Sequence, residues 1–157
     1  MPFDAHGPTA LKSCRLAPGS PGRNRRYFIP DPRRKERNQR RDIQGNSEKI
    51  ISAIQKAQNQ KAELILFPEL AVSGALPQDL LEREEFVNAC RMAVEKIAAT
   101  CTQIAAIVGA PNLDSENGIM YNSAYFIQHG EVVDGVHKNI LSDYDIFSES
   151  RYFIAGE

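Results

Sequence analysis

Residues 62–111 read AELILFPELAVSGALPQDLLEREEFVNACRMAVEKIAATCTQIAAIVGAP, and this stretch decides the fold. Leu64-Ile65-Leu66-Phe67 is a short continuous apolar run, the pattern of a strand buried on both faces, and Pro68 stops it. Residues 71–83 read as a long loop containing Gly74 and Pro77. The spacing then predicts a helix from about Glu84 to Thr100, with Phe86, Cys90, Ala93, Val94 and Ile97 on one face. Ile104 to Val108 is a second buried strand, ended by Gly109 and Pro111. Strand, helix and strand at these lengths make a βαβ unit with a parallel sheet.

Upstream, Asn46 or Ser47 is placed to cap a helix, and Ile50, Ile51, Ile54 and Ala57 give it one apolar face. Downstream, Asp114-Ser115-Glu116-Asn117-Gly118 is a polar turn. Tyr121–Ile127 and Glu131–Val136 flank His129-Gly130, which predicts a hairpin. An α/β layer thus passes into antiparallel strands.

The first 41 residues are of another kind. They carry eleven basic and three acidic side chains, a net of +8, and six of the nine prolines. Residues 42–157 carry eight basic and seventeen acidic side chains, a net of -9. Residues 1–41 hold too little apolar surface to offset chain entropy, so a disordered tail is expected, with Tyr27-Phe28-Ile29 as its one short strand candidate. The run RRKERNQRR suits phosphate contacts, but a solvated basic tail with no nucleic-acid partner is the preferred reading. No apolar run approaches a membrane span, and Met1–Gly22 has no signal-peptide core. Cys14, Cys90 and Cys101 form no disulfide pattern, which fits a reducing cytoplasm.

Chemistry in open α/β sheets collects at the carboxyl ends of strands. Glu69 and Lys138 each follow a predicted strand there. A carboxylate in that place can act as a general base, and a nearby lysine can bind an oxyanion or keep the carboxylate ionised. Two surface charges are the alternative. His129 and His137 lack partners at metal-ligand spacing and read as turn or surface residues, so no metal site is expected. Cys90 and Cys101 read as buried core residues without an activating neighbour.

The words Asp42-Ile43-Gln44-Gly45-Asn46 and Leu64–Gly74 resemble the nitrilase (carbon–nitrogen hydrolase) superfamily. Pro77-Gln78-Asp79-Leu80-Leu81, Val108-Gly109-Ala110-Pro111 and Tyr121-Asn122-Ser123-Ala124 narrow the likeness. So does Lys138 followed by Tyr144, Phe147, Glu149 and Arg151-Tyr152-Phe153. Together they resemble the glutaminase domain of glutamine-dependent NAD synthetases over residues 42–157. The resemblance implies the N-terminal half of an α-β-β-α sandwich and a Glu-Lys-Cys triad. It implies Glu69 as general base, Lys138 as the group that stabilises the tetrahedral intermediate, and Tyr144 and Glu149 as glutamine-binding residues. The implied reaction is hydrolysis of the glutamine side-chain amide through a thioester, supplying ammonia for NAD synthesis. It implies no cofactor for the amidase step. ATP and magnesium would belong to a separate synthetase domain, and the family resemblance also implies homo-oligomers.

Several words depart from the pattern. The nucleophilic cysteine is expected downstream of Lys138, and none of the chain's three cysteines lies there. Ala75 replaces an aromatic residue, and Ser142-Asp143 replaces Pro-Asn. The resemblance calls for a buried first strand just before Asp42, where RRKERNQRR stands instead. The reading is therefore a truncated glutaminase domain, inactive alone, with residues 1–41 non-homologous and produced by a shifted frame or misplaced start. A non-catalytic gene remnant and a basic-tailed binding module are the alternatives. An unpaired sheet edge and an uncovered apolar face are expected.

Overall fold

The computed structural model describes residues 12–14, 25–28 and 42–157. Its elements are β1 (Lys12–Cys14), β2 (Arg25–Phe28), α1 (Ile43–Asn59), β3 (Leu64–Leu66), α2 (Glu84–Ala98), β4 (Ala105–Asp114), β5 (Ile119–Gln128) and β6 (Glu131–His137). The six strands form one mixed sheet in the order β1-β2-β3-β4-β5-β6. The predicted βαβ unit is present: β3 pairs parallel with β4, Leu64 opposite Ala105, and α2 makes the crossover. This is an α/β fold in which both helices cover one face of the sheet. Ile50, Ile54, Cys90, Val94 and Ile97 from the helices meet Ile65, Ala106, Val108 and Ile127 from the strands in one core.

Several boundaries differ from expectation, each for a local reason. Helix α1 starts at Ile43, because the Asp42 carboxylate accepts the Gly45 N–H at 2.9 Å and caps the helix. Asn46 and Ser47 are therefore buried inside the helix. The loop 71–83 contains a 3₁₀ turn, Gln78–Glu82. Strand β4 runs ten residues, through Gly109 and Pro111. Pro111 is tolerated there because β3 has already ended opposite Ile107. Asn122, which faces Pro111, turns its carbonyl to Lys138 on the far side. The proline nitrogen therefore points away from β5, where a strand would otherwise need its missing N–H.

The polar turn at 114–118 and the β5–β6 hairpin follow the reading closely, and the first of these turns joins β4 to β5 as a second hairpin. The Asp114 carboxylate accepts from the Glu116 and Asn117 N–H groups and closes the first turn. His129 (φ 56°) and Gly130 (φ 87°) are both left-handed, the signature of a tight two-residue turn between β5 and β6.

The sheet edge departs most from expectation. Arg25–Phe28 pairs parallel with β3, Tyr27 opposite Leu64, so the place expected to lack a first strand is filled. Phe28 is buried in the main core. Lys12–Cys14 also forms a strand, antiparallel to β2, where a disordered tail is expected from the sequence. The expected disorder of the other residues of 1–41, the run RRKERNQRR included, lies outside the described residues. The expected open apolar face is present. Leu64, Leu66, Ile107 and Phe126 are half-buried on the side away from the helices, and Val136 is exposed there. Among the described residues no helix is long and apolar enough to cross a membrane.

Candidate active site

Glu69 sits on the turn that leaves β3. The next residue, Leu70, is left-handed at φ 51°, a conformation costly for a branched side chain and held only when its surroundings dictate it. Three contacts dictate it. The Val72 N–H donates to the Gly109 carbonyl at 3.2 Å. The fully buried Asn46 amide donates to the Val72 carbonyl at 3.0 Å, tying α1 to the turn. The Leu70 side chain packs with Leu81 and Phe153 in a second small core. The turn also lies directly on β4: a Cβ added at Gly109 would stand 2.6 Å from the Pro68 carbonyl oxygen and 2.8 Å from the Glu69 Cα. Only glycine leaves room for that crossing.

Lys138 follows β6, and both its main-chain groups are held. Its N–H donates to the Asn122 carbonyl at 2.8 Å, and its carbonyl accepts from the Gly156 N–H at 2.9 Å. A β-bulge between Phe126 and Ile127 shifts the β5–β6 register upstream of this point. A one-residue shift moves every later side chain to the other face, so the bulge sets which way Lys138 points. The register is then pinned by His137. Its Nδ1 lies 2.8 Å from the Ser123 hydroxyl, and its ring stacks on Tyr121 at 4.1 Å. The sequence suggests a turn or surface role for His137; it closes the strand pair instead.

The structure brings Glu69, Lys138 and Glu149 together. Lys138 Nζ donates to Glu69 Oε1 at 2.9 Å and to Glu149 Oε2 at 2.8 Å. The Lys138 side chain is 26% exposed, that of Glu69 51% and that of Glu149 only 9%. Burial works against the Lys138 ammonium, but its hydrogen bonds to Glu149 and Glu69 outweigh burial and hold its pKa above the ordinary value. Burial also works against ionised Glu149. The Lys138 ammonium and the Ser142 N–H, which donates at 2.7 Å, outweigh it and hold that carboxyl below the ordinary value. The departure at Ser142 matters here, because a proline in that place has no N–H to give.

Glu149 takes hydrogen bonds from Lys138, Ser142 and Asn122. Tyr144 is 67% exposed and packs obliquely on Phe147. An open cavity of about 130 Å³ is lined by Glu149 together with Leu70, Leu76, Leu81, Ile146 and Phe153. Ala75 is exposed and takes no part in that wall. Sequence reasoning gave Asn122 no role of its own, yet its amide donates to both Glu69 and Glu149. A buried, hydrogen-bonding side chain within a strand is the signal that could have found it.

Neither Cys90 nor Cys101 has the character of a nucleophile. Cys90 is fully buried, and burial pushes its thiol up to about 12. Cys101 is fully buried too, and burial raises its pKa despite a hydrogen bond with Thr100 that lowers it. No group of three or more His, Cys, Asp or Glu placed to hold a metal occurs among the described residues.

The carbon–nitrogen hydrolase family model matches residues 36–157. The chain belongs to the carbon–nitrogen hydrolase family. It is 41% identical over 109 residues to the glutamine-dependent NAD(+) synthetase of Xylella fastidiosa, covering 69% of this chain and 20% of that protein. It is 36% identical over 118 residues to the enzyme of the same name from Aquifex aeolicus, covering 74% and 20%. The crystal structure of a glutamine-dependent NAD(+) synthetase from Cytophaga hutchinsonii superposes with a TM-score of 0.72 at 28% identity, over 76% of this chain and 20% of that one. An amidase from Nesterenkonia superposes with a TM-score of 0.64 at 28% identity, over 77% and 47%. The fold is thus nitrilase-like, and the chain spans about a fifth of the length of the curated relatives it matches.

Proposed function

We propose that this chain contributes the base and the oxyanion-binding lysine to hydrolysis of the glutamine side-chain amide, in an enzyme that passes the ammonia to NAD synthesis. The observation that carries it is Lys138 Nζ held between Glu69 and Glu149. Glu69, half exposed on its strained turn, takes the proton of a nucleophilic thiol. The thiolate attacks the amide carbon, and the carbonyl oxygen gains charge beside the Lys138 ammonium. The tetrahedral species collapses, ammonia leaves with the proton that Glu69 returns, and a thioester remains. Water, losing its proton to Glu69, then frees glutamate. Glu149 keeps the lysine charged and aimed, and Tyr144 forms a wall of the glutamine site once its loop meets substrate. The amide step uses no cofactor. ATP and magnesium serve the separate synthetase step, and the family's homo-oligomeric assembly is part of the same reading.

None of Cys14, Cys90 and Cys101 lies downstream of Lys138, where the nucleophile is expected, and the last two are buried, so the 157-residue polypeptide by itself should release no ammonia from glutamine above buffer. Grafting is the test of the roles. Residues 42–157 replace the matching stretch of the Xylella fastidiosa relative, and glutamine-dependent ammonia release is assayed. Activity should survive the graft and fall about 10²-fold or more with Glu69→Gln or Lys138→Met. Full activity of the Glu69→Gln graft would refute the assigned base. Residues 1–41 are proposed as non-homologous in origin, although Arg25–Phe28 joins the sheet and the family match begins at residue 36.

A further inference from the structure

We propose that Asn122 is a positioning residue: its side-chain amide is the neutral double donor that lets Glu69 and Glu149 share one lysine. It rests on the reading above only for the meaning of Glu69 as a base. Asn122 is 3% exposed, on β5 opposite Pro111. Its Nδ2 donates to Glu69 Oε1 at 2.5 Å and to Glu149 Oε1 at 3.3 Å. Both partners are carboxylate oxygens, so the amide nitrogen must face them; turned round, its carbonyl would add a third oxygen to the pair.

Lys138 closes the other half of the ring through Glu69 Oε1 and Glu149 Oε2. Two carboxylates and one ammonium leave a net charge of -1 in a partly buried site. A second pair of N–H bonds, carrying no charge, lowers the cost of keeping both acids ionised. Both ring bonds on Glu69 fall on Oε1, which presents Oε2 to the reacting proton. The Asn122 carbonyl holds the Lys138 N–H as well, so one residue sets the lysine backbone and both of its counter-ions.

The nearly isosteric Asn122→Asp variant tests this, since it places a third carboxylate against the two that share the ammonium. Carboxyl carbon NMR titrations of the whole chain should show either Glu149 or the carboxyl introduced at position 122 titrating about one pH unit or more above wild-type Glu149. Thermal unfolding should show a loss of stability at pH 7 that is recovered in the double variant Asn122→Asp with Glu69→Gln, where amide and carboxylate have exchanged places. An Asn122→Asp chain that folds with both of those titrations at or below wild-type Glu149 overturns the proposal. So does a double variant whose losses merely add, including one in which Asn122→Asp is unfolded and Glu69→Gln fails to restore it. Neither readout depends on glutamine. A failed graft assay with a shifted titration therefore indicts the substrate reading, and the reverse result indicts Asn122.

Discussion

Lys138 pairs with two carboxylates of different exposure. Glu149 is buried and saturated with donors, while Glu69 is half open. The linkage has a definite sign. Glu149 titrates below its ordinary value of 4.5, so its contribution to stability is present above that pH and is lost as pH falls through the lowered value. Lys138 titrates above its ordinary value of 10.5, so its contribution is present below that pH and is lost as pH rises through the raised value. Urea unfolding measured against pH should therefore show a plateau from this cluster with a loss on each side. Glu149→Gln should flatten the acid limb, and an unchanged acid limb would contradict the assignment. Glu69 and Lys138 were legible as strand-end charges, and the family words added Glu149. Asn122 was not, because its contacts with Glu69 and Glu149 arise only from the pairing of distant segments.

The elements hold these side chains by close backbone approach. The β3 turn rests on β4 at Gly109, and Gly109→Ala sets a methyl against the Pro68 and Leu70 main chain. The variant should lose about 1–3 kcal/mol in denaturant unfolding and displace the Glu69 turn, with loss of the Glu69 and Lys138 contact in NMR. Wild-type stability in Gly109→Ala would show that the turn can yield. Helix α2, strand β3 and the β5–β6 hairpin were readable from period and turn residues, since those signals are local. The length of β4 was not. Gly109 and Pro111 read as strand breakers, and only the early end of β3 and the crossing turn make them suitable inside a strand. The start of α1 was missed by a turn because Asp42 caps it, which frees Asn46 for the Val72 carbonyl.

Across the molecule, the charge change at residue 42 is not where the sheet begins. Phe28 is 3% exposed and shares the core with Ile65. Phe28→Ala should cost about 3 kcal/mol, and a chain beginning at Asp42 should lose at least as much in urea unfolding. Equal stability of the truncated and full chains would show that β2 adds nothing. Period, turn chemistry and family words were enough to establish an α/β layer with an acid and a lysine at strand ends, because each signal lies within a few consecutive residues. The tertiary structure decided the rest: the sheet reaches back to Lys12, a bulge turns Lys138 toward Glu69, and Asn122 joins two carboxylates 27 and 53 positions away along the chain. Those arrangements arise from register and packing between distant segments, and no local pattern of residues encodes them.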